Sequence, residues 1–180
     1  MKTLTLLRHA KSGWDDAVPR DLDRPLNPKG RRAAQAMGRE IKAMGLDFDR
    51  VLASPAVRVR ETIEEAERGL GRALTPKWDR RLYLASAATL LDVVHEQDEA
   101  TETLLLVGHN PGLEELVLAL VPLSSDTVAR RNVEEKFPTA SVAVMTFPVE
   151  HWRDGREGGG TLVEFVRPRD LDLTLGPDAD

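Results

Sequence analysis

The chain has 180 residues, of which 41% are hydrophobic and 31% charged, and its net charge is -5. This size predicts one globular domain, and the acidic balance argues against a protein dedicated to DNA or RNA. The absence of cysteine excludes disulfides, thiol catalysis and thiolate metal sites. The apolar stretch Leu4–Leu7 is too short for a signal peptide, and no run is long enough for a membrane helix. We therefore expect a cytoplasmic protein without a membrane or nucleic-acid partner.

The first half of the chain alternates apolar strands with amphipathic helices. Residues 2–7 are strand-like, and a turn-rich stretch with three prolines separates them from a helix that begins near Pro28. The run VLAS at 51–54 predicts a second strand. Ser54 and Pro55 then predict the N-cap and the first residue of another helix. This alternation is typical of a parallel sheet.

The second half continues the alternation and then changes. Ser86 predicts the N-cap of a third helix, and TLLLV at 103–107 predicts a fully buried strand that leads through GHNPG into a fourth helix. SVAVMTF at 141–147 and TLVEFV at 161–166 are joined by a glycine-rich loop without room for a helix, so they predict an antiparallel hairpin.

These elements predict an α/β fold. We expect a three-layer sandwich with helices on both faces of a mostly parallel sheet, and an antiparallel edge at the C-terminal end of the chain. Residues 1–167 are predicted to form a single domain. Residues 168–180 are predicted to be a loosely packed tail.

Three of the predicted strands are followed by positively charged or titratable side chains. The first strand leads into Arg8 and His9, the second into Arg58 and Arg60 at the start of a helix, and 103–107 into His109. Ligands bind at the carboxyl ends of the strands in an open parallel sheet, so we expect these side chains to meet. Helix N-termini add partial positive charge at the same edge. The pattern predicts a pocket for a doubly charged tetrahedral anion, and phosphate is its natural occupant.

The two histidines can have several roles in such a pocket. A histidine beside phosphate acts as nucleophile, general acid or metal ligand, but a single histidine at a strand end is more often a hydrogen-bonded loop residue. His9 and His109 are not in a ligand-spaced cluster, so we expect no metal and no other cofactor. The arginines at the matching strand ends favour phosphoryl transfer, in which an imidazole attacks phosphorus and guanidinium groups neutralise charge on its oxygens.

The segments LLRHAKS, SPAVRVRET and LLLVGHNPG, in this order, resemble the histidine phosphatase superfamily, which includes the phosphoglycerate mutases. Together with DLDRPLNPKG and the short chain, they most resemble its small SixA-like phosphohistidine phosphatase branch. The resemblance implies a phosphoglycerate mutase-like fold and a hydrolase in which His9 is the catalytic nucleophile that becomes phosphorylated. It also implies that Arg8, Arg58 and His109 complete the catalytic phosphate-binding pocket.

The chain departs from the superfamily pattern in two ways. Ala10 stands where the commonest members have glycine, and the SixA-like branch shares this difference. Many relatives also have a glutamate general acid after the second helix, where this chain has Tyr83. The possible acids nearby are Asp79 and, shortly after the nucleophile, Asp15 and Asp16. For each of these aspartates, the pattern favours a solvated loop carboxylate or a helix-dipole partner over a general acid.

The missing acid bears on the substrate. An alkyl phosphate releases a basic alkoxide and needs a general acid, whereas a phosphohistidine releases an imidazole that is protonated near neutral pH. We therefore expect dephosphorylation of a phosphorylated protein of the histidine phosphotransfer type. The alternatives are a broad-specificity phosphomonoesterase acting on a small phosphorylated metabolite and a non-catalytic phospho-binding module. Only about twenty residues separate His9 from the first helix, which predicts an open site.

Overall fold

The fold is described from a computed structural model, in which residues 1–13, 18 and 20–177 are described. In chain order the strands are β1 (Lys2–Arg8), β2 (Arg50–Ala53), β3 (Lys77–Trp78), β4 (Thr103–Gly108), β5 (Val142–Phe147) and β6 (Thr161–Val166). The α-helices are α1 (Pro28–Ala43), α2 (Val57–Leu70), α3 (Ala87–His95), α4 (Gly112–Leu120), α5 (Val128–Glu135) and α6 (Pro168–Leu171). Short 3-10 turns cover Asp21–Asp23, Arg80–Leu82, Trp152–Asp154 and Leu173–Leu175.

The strands form one sheet in the order β3-β2-β4-β1-β5-β6. The strands from β3 to β1 in this order are parallel, and β5 and β6 are antiparallel to their neighbours. β4 lies between β1 and β2, and its last residue, Gly108, pairs with Arg8 at the end of β1. The predicted sheet, mostly parallel with an antiparallel C-terminal edge, is confirmed.

Helices cover both faces of the sheet. Leu104 and Leu106 of β4 lie in one buried cluster with side chains of α3 and α4. Leu105 and Val107 lie in a second cluster with side chains of α1 and α2. Successive side chains of a strand point to opposite faces, so burial on both sides explains why this strand is an uninterrupted apolar run. The three-layer arrangement is confirmed.

The helix starts agree with the sequence at two places and differ at a third. Asn27 caps α1 by accepting the N–H of Gly30 at 2.7 Å, and Ser86 caps α3 by accepting the N–H of Thr89 at 3.2 Å. The predicted start of α2 at Ser54 is wrong, because this helix begins at Val57 with Ala56 as its N-cap. The Ser54 hydroxyl instead lies 2.7 Å from a ring nitrogen of a distant histidine.

One strand and two helices were not predicted, namely β3, α5 and the four-residue α6 in the predicted tail. β3 has only two residues, and half of the residues of α5 are charged, with Val133 as its one fully buried apolar residue. An amphipathic pattern carried by a single valine gives little periodic signal. None of the described helices has the length and apolar composition needed to cross a membrane.

The segment after β6 packs against α1 as far as it is described. Pro168 and Leu175 are buried, and Leu175 belongs to a small cluster that contains Ala33 and Ala36 of α1. The ammonium group of Lys29 donates to the Gly176 carbonyl at 2.5 Å. These contacts place the segment beside the edge of the sheet at which β1 ends.

Candidate active site

The carboxyl ends of β1 and β4 bring His9 and His109 side by side. Arg8 and Gly108 are register partners, so the residues that follow them lie at the same edge of the sheet. The centroids of the two imidazole rings are 5.2 Å apart. Arg58 enters from the first turn of α2, and its Nη2 lies 3.4 Å from Nδ1 of His109. The three strand ends therefore meet in space.

These side chains line one cavity of about 380 Å³. Its charged lining residues are Arg8, Lys11, Arg24, Arg58 and Asp21, and the others are His9, Ser12, Leu84, His109, Asn110 and Thr139. Four cations against one carboxylate leave a local positive charge in a chain whose net charge is -5. Such a cavity favours a tetrahedral oxyanion.

His9 is held as a neutral imidazole in one tautomer. Its Nδ1 lies 2.7 Å from the carbonyl oxygen of Ala10. Because a carbonyl oxygen only accepts, Nδ1 carries the proton and Nε2 keeps its lone pair. Burial, with the nearby charge of Arg8 and Arg58, lowers the pKa of His9 to about 3. At neutral pH its Nε2 is therefore an unprotonated nitrogen in the cavity.

His109 is also neutral and has a different tautomer. Its Nε2 lies 2.7 Å from Oγ of Ser54, and its Nδ1 faces a guanidinium nitrogen of Arg58. A guanidinium N–H only donates, so Nδ1 accepts and Nε2–H donates to Ser54. Burial and the charge of Arg58 lower the pKa of His109 to about 4.

Arg8 is positioned by the loop that precedes β5. Its Nη1 donates to the carbonyl oxygen of Phe137 at 2.8 Å, and Asn110 donates to the same oxygen at 2.9 Å. The N–H of Phe137 in turn donates to the carboxylate of Glu114 at 2.9 Å. Burial lowers the pKa of Arg8, and the charge of Glu114 opposes that change. The sequence pattern contained no sign of this anchor.

Arg58 is positioned by Asp21, a residue that the sequence reasoning did not assign to the site. The guanidinium donates to the backbone oxygen of Asp21 at 2.8 Å and to its carboxylate at 2.9 Å. Tyr83 donates to the same carboxylate at 2.5 Å, and Arg24 donates at 3.0 Å. Burial raises the pKa of Asp21, but these hydrogen bonds outweigh it and bring the pKa to about 2. Asp21 is therefore ionised at neutral pH.

Thr62 joins the loop after β1 to α2. Its hydroxyl accepts the N–H of Ala10 at 2.8 Å and donates to the backbone oxygen of Arg58 at 2.6 Å. One side chain thus fixes the peptide after His9 relative to the turn that carries Arg58. The clue to Asp21 was its segment, DLDRPLNPKG, and the clue to Thr62 was SPAVRVRET, but neither segment shows which atoms meet.

The candidate acids differ in their positions. Asp79 is not among the residues that line the cavity, and its carboxylate pairs with the guanidinium of Arg81 at 2.8 Å. Hydrogen bonds from Arg81 lower the pKa of Asp79, so it is ionised near neutral pH. Asp15 and Asp16 lie outside the described residues. The ring of Tyr83 lies 5.4 Å from that of His109, edge to face. The described residues contain no group of three or more side chains that could hold a metal ion.

Comparisons with known proteins agree with this geometry. The family model of the histidine phosphatase superfamily (branch 1) matches residues 4–83. An uncharacterized protein of Mycobacterium tuberculosis is 35% identical over 91% of this chain and 100% of its own length.

Solved structures of two candidate phosphohistidine phosphatases named SixA are also similar. The one from Nakamurella multipartitia has a TM-score of 0.80 at 29% identity and covers 93% of this chain and 96% of its own. The one from Agrobacterium tumefaciens has a TM-score of 0.76 at 27% identity and covers 93% and 98%. Similarity along nearly the whole chain, with histidines and arginines at the strand ends meeting in one cationic cavity, shows that the chain is a phosphatase of the histidine phosphatase superfamily, on its SixA-like branch.

Proposed function

We propose that this phosphatase removes the phosphoryl group from a phosphohistidine on a protein, through a phosphorylated form of its own His9. The observation that carries the proposal is the state of His9, whose Nδ1 is bonded to the Ala10 carbonyl while Nε2 keeps a lone pair. This nitrogen lies in a cavity that Arg8 and Arg58 also line. A neutral imidazole among fixed guanidinium groups is suited to attack on a phosphoryl group.

The reaction then has two balanced steps. Nε2 of His9 forms a bond to phosphorus while the bond from phosphorus to the substrate imidazole breaks, and the leaving nitrogen keeps the electron pair. Water then attacks phospho-His9, the bond to Nε2 breaks, and inorganic phosphate and a proton are released. Arg8 and Arg58 neutralise charge on the phosphoryl oxygens. Nδ1 of His109 accepts from the guanidinium of Arg58 and so helps to orient that group towards the phosphoryl oxygens.

The protonation state of the cavity supports a phosphorus–nitrogen bond as the target. Among the described residues that line the cavity, Asp21 is the acidic one, and its pKa of about 2 leaves it without a proton to donate. Loss of general acid catalysis costs an alkyl phosphate about two to four orders of magnitude in rate. A phosphohistidine ring that is protonated in solution leaves as neutral imidazole and does not need that acid.

Access to the cavity supports a protein substrate. Among residues 10–13, 18 and 20–27, which connect β1 to α1, the helical structure is one 3-10 turn, Asp21–Asp23. No helical insertion covers the cavity within these described residues, which favours a phosphohistidine presented on a protein surface as the substrate. The two solved relatives with the SixA name are described as candidate phosphohistidine phosphatases, which agrees with this substrate class.

The covalent step is tested by intact-protein mass after brief exposure to a small phosphodonor. We expect one phosphoryl adduct in the native protein and none in His9→Ala, with kcat/KM reduced at least about a thousandfold. His151→Ala is the matched control, because His151 lies beside Glu99, away from the cavity lining. An adduct that persists in His9→Ala contradicts the proposed nucleophile.

The substrate class is tested by phosphorus NMR time courses. A phosphohistidine peptide is expected to lose phosphate at least about a hundredfold faster than a phosphoserine peptide or a sugar phosphate, since only the esters need a general acid. Comparable rates would instead indicate a broad phosphomonoesterase. Tight phosphate binding with neither an adduct nor turnover would indicate a binding module and refute both enzymatic assignments.

A further inference from the structure

A second cavity of about 410 Å³ adjoins the catalytic one, and we call it the cationic groove. The two cavities share Arg8, Lys11 and Thr139 in their linings, so they lie side by side. The groove runs from the end of β1 past the start of α1 to the segment after β6. A large ligand whose phosphoryl group occupies the catalytic cavity can therefore also contact residues of the groove.

The charge of the groove has one sign. Its charged lining residues are Arg8, Lys11, Lys29, Lys136, Arg167 and Arg169, and no carboxylate lines it among the described residues. The guanidinium of Arg167 is paired with Asp170 at 2.9 Å. Lys136 is exposed, and the Nε of Arg169 is buried without a hydrogen-bond partner in the described part of the chain. A chain of net charge -5 thus concentrates cations next to its catalytic cavity.

The apolar part of the groove favours an acidic peptide over a polyphosphate chain as the ligand. Ala33, Pro138, Pro168 and Leu175 also line it, between the cationic side chains. A polyphosphate chain carries only charged oxygens and gains nothing from an apolar surface. An acidic peptide segment offers carboxylates to the cations and side-chain carbon to the prolines and the leucine. The cations come from four separate segments of the chain, which suits an extended ligand rather than a single ion.

We propose that the cationic groove binds a carboxylate-rich segment of the phosphoprotein substrate, beside the phosphorylated histidine in the catalytic cavity. This inference rests on the proposed function, because it identifies what surrounds the phosphohistidine. Specificity for acidic partners then comes from charge complementarity at the groove, while Arg8 contributes to both cavities.

The test uses three phosphohistidine peptides of equal length, flanked by Glu, by Gln or by Lys. The native enzyme is expected to prefer the Glu peptide over the Gln peptide by about tenfold in kcat/KM, chiefly through KM, because two or three exposed ion pairs are worth about that factor. The preference is expected to shrink as salt rises from low to high concentration. Equal values for the Glu and Gln peptides would overturn the proposal.

The double variant Lys136→Gln/Arg169→Gln tests whether the groove causes this preference. It is expected to abolish the preference for the Glu peptide. Arg153→Gln/Arg156→Gln is the matched control, since both arginines are exposed in the loop between β5 and β6, at the opposite end of the sheet. It removes the same charge and should keep the preference. If the Arg169 substitution destabilises α6, the single variant Lys136→Gln still tests the groove, and it is expected to reduce the preference for the Glu peptide. A preference that survives in both groove variants overturns the assignment.

Binding of the unphosphorylated Glu peptide, followed by fluorescence anisotropy, separates this proposal from the proposed function. Peptide binding that the groove variants weaken, without any turnover of the phosphohistidine peptides, would support the groove and refute the proposed substrate. Turnover of the phosphohistidine peptides without charge-dependent binding would support the proposed substrate and refute the role of the groove. Tight binding of polyphosphate with no binding of the Glu peptide would refute the protein segment as its occupant.

Discussion

The Asp21 carboxylate connects three side chains at the catalytic cavity. It accepts hydrogen bonds from Tyr83, Arg24 and Arg58, and its pKa of about 2 keeps it ionised over the working range of a phosphatase. An ionised carboxylate cannot protonate a leaving group. We therefore regard Asp21 as a positioning residue that fixes the guanidinium of Arg58, rather than as the missing general acid.

The substitution Asp21→Asn tests this role. Without the ionic contact, Arg58 is oriented less well, and kcat for the phosphohistidine peptide is expected to fall about tenfold. KM is not expected to rise, because the change also removes a negative charge beside the anionic substrate. Steady-state kinetics that resolve kcat from KM provide the measurement.

Asp23→Asn is the matched control for that experiment, because Asp23 pairs with Arg20 outside the cavity lining. It should leave both constants near the native values. A rise in KM at constant kcat would contradict the positioning role. A loss confined to alkyl phosphates would show that Asp21 acts as an acid.

The helices α1 and α2 pack so closely that small residues are required between them. A Cβ added to Gly38 would lie 2.1 Å from the carbonyl oxygen of Ala66, and one added to Gly69 would lie 2.1 Å from that of Gln35. The facing atoms are backbone, so they cannot rotate away. Because α2 carries Arg58 and Thr62, this helix contact helps to fix the position of the cavity residues.

The substitution Gly38→Ala is expected to lower the free energy of unfolding by about 3 kcal/mol, because the helices must separate to admit the methyl group. Urea unfolding followed by circular dichroism measures the change. Arg39→Ala, on the exposed side of the same helix, is the control and should change stability by less than about 0.5 kcal/mol. A Gly38→Ala protein as stable as the native one would show that the helix contact tolerates expansion.

The stability of the whole molecule is linked to pH through its two buried histidines. The pKa values of His9 and His109 are about 3 and about 4 in the folded chain, and both lie near 6.5 when the chain is unfolded. Between these values the unfolded chain binds more protons than the folded one. Stability is therefore complete above about pH 7 and is lost as the pH falls from about 6.5 towards 4.

We expect the free energy of unfolding to fall over this range by up to about 1.4 kcal/mol per pH unit for each histidine. Urea titrations at several pH values provide the measurement. His9→Asn should show a shallower dependence than the native chain, whereas Arg39→Ala, which retains both histidines, should keep the native slope. If the free energy of unfolding changed equally with pH in the native and His9→Asn proteins, the buried imidazole of His9 would not be the cause of the pH dependence.

The sequence by itself determined five of the six strands and the meeting of the candidate catalytic side chains. Apolar runs with Arg8-His9, Arg58 and His109 after them predict both, because parallel strands in one sheet end at a common edge. The sequence also predicts helix starts that have a local signal, such as Asn27 before Pro28. The atoms of such a cap lie within one turn of each other along the chain.

Only the tertiary structure decided how each candidate catalytic group is held and whether it is charged. The carbonyl that anchors Arg8 is 129 residues away, the hydroxyl that holds His109 is 55 away, and the carboxylate that holds Arg58 is 37 away. Contacts over such separations leave no local pattern, and burial, which sets the pKa values of the histidines, exists only once the layers have closed. The Ser54 hydroxyl shows the same limit, because a residue typical of a helix cap is used for a contact that only the folded chain provides.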